Sequence, residues 1–168
     1  HAVGLFKREK TIKYQMRQKM IAIGDDYWIE DDSGNKVFKV NGKAARLRDT
    51  WVLEDVHGKE VALIREKKLS VRDAIKIETG GKEYTVKRAL VGIRERFTIE
   101  ADGRNLKAHG NVVDHEYEIE QAGDKIAEIS KKWFRLRDTY GVEVNESADQ
   151  ALILAITVAV DSFDHDHG

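Results

Sequence analysis

Ten consecutive residues near the C-terminal end, Ala151-Leu152-Ile153-Leu154-Ala155-Ile156-Thr157-Val158-Ala159-Val160, are apolar except for Thr157. Wound as a helix, the run is apolar on every face, and such a helix has to be buried all round. A membrane span needs about 20 apolar residues, so the run is too short to cross a bilayer and must be enclosed by the rest of the chain. Ser147-Ala148-Asp149-Gln150 reads as a capping box, with Gln at the third helical position and Asp in the first turn. This predicts a helix over about residues 147–161 and a flexible tail over 162–168. The β-branched Ile153, Ile156, Thr157, Val158 and Val160 also suit a buried strand, but length and cap favour helix. Ala151, Ala155 and Ala159 form a small-residue stripe that lets a wall approach closely. Residues 148–160 would span about 20 Å, roughly the height of a barrel of six-residue strands.

The preceding sequence supplies such a barrel. An acidic residue stands two to four positions before a glycine at Asp31–Gly34, Glu54–Gly58, Glu78–Gly81, Glu100–Gly103 and Glu120–Gly123, and Asn35, Lys59, Lys82, Arg104 and Asp124 follow. Glycine reaches positive φ without steric cost, and Asp and Asn suit tight turns. The turn glycines are 24, 23, 22 and 20 residues apart, enough for two strands and two turns per unit. Five units give about ten strands, and segments near Tyr14–Lys19 and Tyr140–Val144 bring the number to about twelve. Tyr117 and Ile119 alternate with Glu116, Glu118 and Glu120; Tyr84 and Val86 with Glu83, Thr85 and Lys87; Phe97 and Ile99 with Arg96, Thr98 and Glu100. One face is dry and the other wet. A barrel of about twelve strands leaves a lumen that side chains alone do not fill. The expected fold is therefore mainly β: one domain over residues 1–168, with strands over about 12–144 closing as an antiparallel barrel around the central hydrophobic C-terminal helix.

Composition narrows the chemistry. The chain has 168 residues, 41% hydrophobic and 35% charged, with no cysteine and no proline, which fits one domain with a real core. Disulfides, thiolate catalysis and cysteine-based zinc sites are excluded. Residues 1–20 are rich in Lys and Arg and lack an apolar h-region, so no signal peptide is expected, and the expected location is cytoplasmic, either free or peripheral at a membrane. The net charge is −1, which gives no global field for nucleic acid. Charge is nevertheless segregated: residues 59–96 hold eleven basic and six acidic residues, and residues 97–130 hold three basic and eight acidic. This is either a basic face beside an acidic one or simply the wet face of the strands.

Arg46-Leu47-Arg48-Asp49-Thr50-Trp51 recurs as Arg135-Leu136-Arg137-Asp138-Thr139-Tyr140. This suggests two related halves or two equivalent corners of one barrel, and because Asp-Thr before an aromatic is sound turn-to-strand chemistry, a structural turn is favoured over a paired anion site. With the segment Lys131–Val144 and the apolar helix, the chain resembles the LURP-one-related family of the tubby C-terminal-like superfamily, which also contains the phospholipid scramblases. The resemblance covers about Tyr14–Val160. It implies a twelve-stranded barrel around a central C-terminal helix. Tubby proteins bind phosphoinositide headgroups through basic residues on barrel strands, but no motif carries those positions to this chain. Scramblases have palmitoylated cysteines, which this chain lacks.

Nucleotide-binding glycine motifs and a G-x-S-x-G elbow are absent, so no enzyme activity and no cofactor are expected. His165 and His167, with Asp161 and Asp164, offer ligands for a divalent metal, but they read first as a solvated tail. His109 and His115 read as surface histidines around a turn. Asp31-Asp32-Ser33-Gly34-Asn35 lacks the spaced ligands of a calcium loop. No metal is expected. The best functional lead is basic: Arg65, Lys67, Lys68 and Arg72 lie in one segment, with Lys87 and Arg88 one strand later. These six are candidates for binding an anionic lipid headgroup or another phosphorylated ligand, unless they are solvated strand edges. They lack the interleaved aromatics that nucleic-acid stacking needs. The alternative is a protein-interaction or structural barrel, and third comes an enzyme at the barrel mouth.

Overall fold

The computed structural model describes residues 10–17, 26–42, 50–69, 72–91, 94–134 and 139–165. Twelve strands run in chain order: β1 (Thr11–Arg17), β2 (Tyr27–Asp31), β3 (Lys36–Asn41), β4 (Thr50–Asp55), β5 (Glu60–Leu69), β6 (Arg72–Thr79), β7 (Lys82–Val91), β8 (Arg94–Ala101), β9 (Arg104–Asn111), β10 (Glu116–Gln121), β11 (Asp124–Ser130) and β12 (Thr139–Asn145). Each pairs antiparallel with the next, and β12 pairs with β1, with Thr11 opposite Asn145 and Arg17 opposite Thr139. The sheet is a closed barrel. A single described helix, α1 (Gln150–His165), follows β12.

The turns behave as their chemistry predicts. Gly34, Gly58, Gly81, Gly103 and Gly123 all take positive φ, between 71° and 85°. The acidic residue ahead of the glycine organises the first two turns. Asp31 Oδ1 accepts the N–H of Ser33 at 3.0 Å and of Asn35 at 2.9 Å. Asp55 Oδ1 accepts those of His57 at 2.8 Å and Lys59 at 3.0 Å. These backbone donors hold both carboxyls below the usual carboxylate range, Asn35 contributing most for Asp31 and Lys59 for Asp55. All five turns lie at the end where α1 begins, here the proximal end. The turn between Asn111 and Glu116 lies at the other, distal end.

Inside the wall, Tyr84, Phe97, Ile99, Ile119, Val142 and Val144 are buried against α1, in which every residue from Leu152 to Val160 is also buried. At about 25 cal/mol per Å² of apolar surface, each large side chain buried this way contributes roughly 1.5–3 kcal/mol. The helix packs chiefly on β5, β6 and β12. It starts later than the capping box suggests, because Asp149 rather than Ser147 caps it: Asp149 Oδ1 accepts the N–H of Leu152 at 3.1 Å. Gln150 then ties the helix to its surroundings. Its Nε2 donates to the carbonyls of Asn145 and Ala148, both at 2.9 Å, and its Oε1 accepts the Tyr14 hydroxyl at 2.7 Å. The helix also continues four residues past the expected end, to His165, because Ser162 and Phe163 are still inside the barrel. His167 lies outside the described residues.

Of the repeated Arg-Leu-Arg-Asp-Thr motif, only Thr50-Trp51 and Thr139-Tyr140 fall within the described residues. Both pairs open a strand, β4 and β12, with the aromatic buried. On the outside of β12, Trp133 and Phe134 lie across Gly141. A Cβ built there would be 2.7 Å from the Trp133 ring and 2.9 Å from that of Phe134, so only glycine lets this strap lie flat on the strand.

Candidate anion-binding site

A strand sends alternate side chains to opposite faces, which sorts the basic residues singled out from the sequence. Arg65 on β5 is on the outer wall, its Nη2 3.5 Å from Glu78 Oε2. Lys87 on β7 is also outward and exposed, its Nζ 3.4 Å from Glu100 Oε2. Arg88, next in sequence, points inward instead. It is half-buried, with its guanidinium 6.0 Å from the ring centroid of Phe163 on α1. Lys67, Lys68 and Arg72 stand opposite Ala74, Asp73 and Leu69 across β5 and β6; their side chains lie outside the described set. Lys87 and Arg88 therefore do not share a surface, and Arg65 stands two strands away from Lys87.

Strand register assembles a different group. Lys87 stands opposite Thr98 on β8, and Thr98 stands opposite Lys107 on β9. Arg96, two residues before Thr98, is on the same face, flanked by Ala89 and His109. Lys87, Arg96 and Lys107 are all exposed. At about 4.8 Å between strands, Lys87 and Lys107 are roughly 10 Å apart across Thr98, and Arg96 is about 7 Å along β8 from it. Among the described residues, neither Arg96 nor Lys107 has a carboxylate in ion-pair range. Two ammonium groups and one guanidinium around a hydroxyl make a set of donors suited to phosphoryl oxygens. Neither Arg96 nor Lys107 stands out in the sequence, since nine and twenty residues separate them from Lys87.

The wall changes sign one strand further on. Glu118 on β10 stands opposite Glu128 on β11, and Glu128 stands opposite Glu143 on β12. Three carboxylates thus lie side by side across three strands, an arrangement that destabilises a sheet unless it is compensated. Two lysines compensate it. Lys125 donates to Glu128 at 2.8 Å, and this bond, with the charges of Glu128, Glu118 and Glu143, raises the Lys125 pKa. Lys13 lies 3.8 Å from Glu143. His109 on β9 is hydrogen-bonded to Glu120.

A second polar group sits inside, at the distal end. His115, read from sequence as a surface residue, is only 6% exposed. It adopts φ 54° in a turn braced by Asn111 and Asp114, and this left-handed kink drops its ring into the barrel. There Nε2 lies 2.8 Å from Asp161 Oδ1, so Nε2 is the donor, and the ring stacks on Tyr140 at 4.3 Å. The Tyr140 hydroxyl donates to the other Asp161 oxygen. Burial, reinforced by Asp161, pushes the Tyr140 and Tyr27 hydroxyls well above the ordinary phenol pKa. Among the described residues, no three His, Asp or Glu side chains converge as metal ligands. Two open depressions lie on the wall, one lined by Glu60–Leu63 and Glu78–Glu83 and one by His109, Glu116–Glu118 and Glu128, and each mixes carboxylates with apolar surface.

Comparison with known proteins agrees with this architecture. A family model described as LURP-one-related matches residues 12–161. The chain is 27% identical over 151 residues to the uncharacterized protein YxjI of Bacillus subtilis (strain 168), covering 89% of this chain and 92% of that one. It is 26% identical over 166 residues to protein LURP-one-related 15 of Arabidopsis thaliana, covering 86% and 76%. The X-ray structure of the Arabidopsis thaliana protein AT5G01750 superposes with a TM-score of 0.70 over 93% of each chain, at 22% identity, a likeness of fold.

Proposed function

The chain belongs to the LURP-one-related family, and we propose that it is a non-catalytic binding module that captures a phosphate-bearing ligand on its barrel wall through Lys87, Arg96 and Lys107. The observation that carries this reading is the grouping of three exposed cations around Thr98, two of them without an ion-pair partner among the described residues. Lys87 is held by Glu100 only through a pair about half exposed on both sides, and such pairs contribute little, so a phosphoryl group can displace it at small cost. The interior polar group supports a structural role rather than chemistry, since Asp161, His115 and Tyr140 are buried among one another. A cytoplasmic location belongs with this reading.

Titration with inorganic pyrophosphate, followed by amide chemical shifts, tests the proposal. The shifts should concentrate at Thr98, Arg96 and Lys107 and weaken with salt. Unchanged spectra at millimolar pyrophosphate would leave the protein-interaction barrel as the better reading.

A further inference from the structure

Resting on that reading, we infer that the ligand is a compact soluble molecule carrying one or two phosphoryl groups, and that the same site rejects phosphate presented on a membrane surface. The juxtaposition that carries this is the cation trio on β7–β9 among the carboxylates Glu100 on β8 and Glu118 and Glu120 on β10.

The trio brings three positive charges, with one exposed carboxylate, Glu100, beside Lys87 for the ligand to displace. A phosphoryl group carries about −1.5 to −2 at neutral pH, so the trio matches one or two such groups and no more. The set spans only about 10 Å across three strands. Its far side is acidic at once: Glu120 stands opposite Lys107, and Glu118 stands opposite His109. The first carboxylates are thus about 5 Å of strand spacing from the trio, inside the screening length of about 8 Å at physiological salt. Glu128 and Glu143 lie further on, but the closed wall turns them away from the trio, and Lys125 and Lys13 are paired with them. A small ligand settles among Lys87, Arg96 and Lys107 without reaching across to Glu118 and Glu120. A flat anionic bilayer laid against the same face meets Glu100, Glu118 and Glu120 together with the three cations, and the attraction is largely cancelled.

Apolar anchoring does not make up the difference. Peripheral membrane binding combines electrostatic attraction with burial of apolar side chains in the interface. Among the described residues the large exposed hydrophobic side chains are Val56 and Val113. Val56 is in the proximal turn after β4 and Val113 in the distal turn after β9, at opposite ends of the barrel and off the trio's face.

The test compares one headgroup chemistry in two presentations. Soluble inositol bisphosphate is titrated at physiological salt, and phosphatidylcholine vesicles carrying phosphatidylserine and phosphatidylinositol monophosphate, whose headgroup it is, are used for co-sedimentation. The inference expects the soluble probe to bind, and to bind about tenfold more weakly or worse in R96E/K107E, while the vesicles leave the protein in the supernatant. It also expects E118Q/E120Q to pellet with the vesicles and keep the soluble affinity. Vesicle binding by the wild type that disappears in R96E/K107E overturns the inference while leaving the binding-module reading intact. Failure of both presentations overturns that reading as well. If E118Q/E120Q stays in the supernatant, the carboxylates are not the barrier and the inference is overturned. All these substitutions are on the solvated wall, and thermal melting of each variant checks that the barrel is intact.

Discussion

Asp161 is a carboxylate 4% exposed near the C-terminal end of a helix, where the backbone dipole is itself negative. It is held there because two donors from the wall, His115 and Tyr140, reach its two oxygens. Removing one member of a buried charged group costs more than the group contributes intact, since the remaining partners are left dry and unpaired. Asp161→Ala should therefore lower unfolding free energy by about 3–5 kcal/mol, and Tyr140→Phe by about 1–3 kcal/mol, as measured by urea denaturation. Losses well under 1 kcal/mol in both would mean that the pair does not hold the helix. Nothing in the sequence announces this triad. His115 and Asp161 are 46 residues apart, and the inward turn of His115 depends on a positive φ at a residue that rarely takes one. By contrast Gly34 and Gly58 are legible, because glycine is the residue that takes such angles freely.

At the level of elements, the proximal hairpins are set by local chemistry and should report it as a function of pH. The Asp31 and Asp55 carboxyls are depressed by backbone donors. A depressed carboxyl stabilises the fold fully above its unfolded pKa of about 3.9, and that contribution disappears as pH falls through the lower folded value. The amide protons of Ser33 and His57 should move on acidification, with midpoints below the ordinary Asp range; midpoints at or above it would contradict the cap geometry. The helix is set by burial instead. Leu154 is fully buried, and an unpaired charge in that position is costly, so Leu154→Asp should abolish cooperative unfolding in circular dichroism. A soluble mutant with a sharp transition would argue against an enclosed helix. Strand number and the helix are readable from sequence because turn glycines and an all-apolar run each admit one economical solution. The helix bounds shift because Asp149, rather than Ser147, makes the cap.

For the molecule as a whole, function is a matter of which residues share a face, and that is fixed by register around the ring. Lys87 and Arg88 are neighbours in sequence but lie on opposite sides of the wall, while Lys87, Arg96 and Lys107 come from three strands to one patch. A basic run in sequence therefore does not by itself define a patch, and the strand pairing decides which charges share a face. The acidic half follows the same logic, with Glu118, Glu128 and Glu143 converging from three strands. The ring itself imposes an order in time. Its closing seam joins β1 to β12, and the segment that fills the lumen comes after β12. During synthesis the first eleven strands leave the ribosome with their apolar faces uncovered and neither seam nor plug to shield them. Native closure waits for residues beyond 139, so the nascent chain passes through an interval in which it depends on chaperones or on speed to escape aggregation.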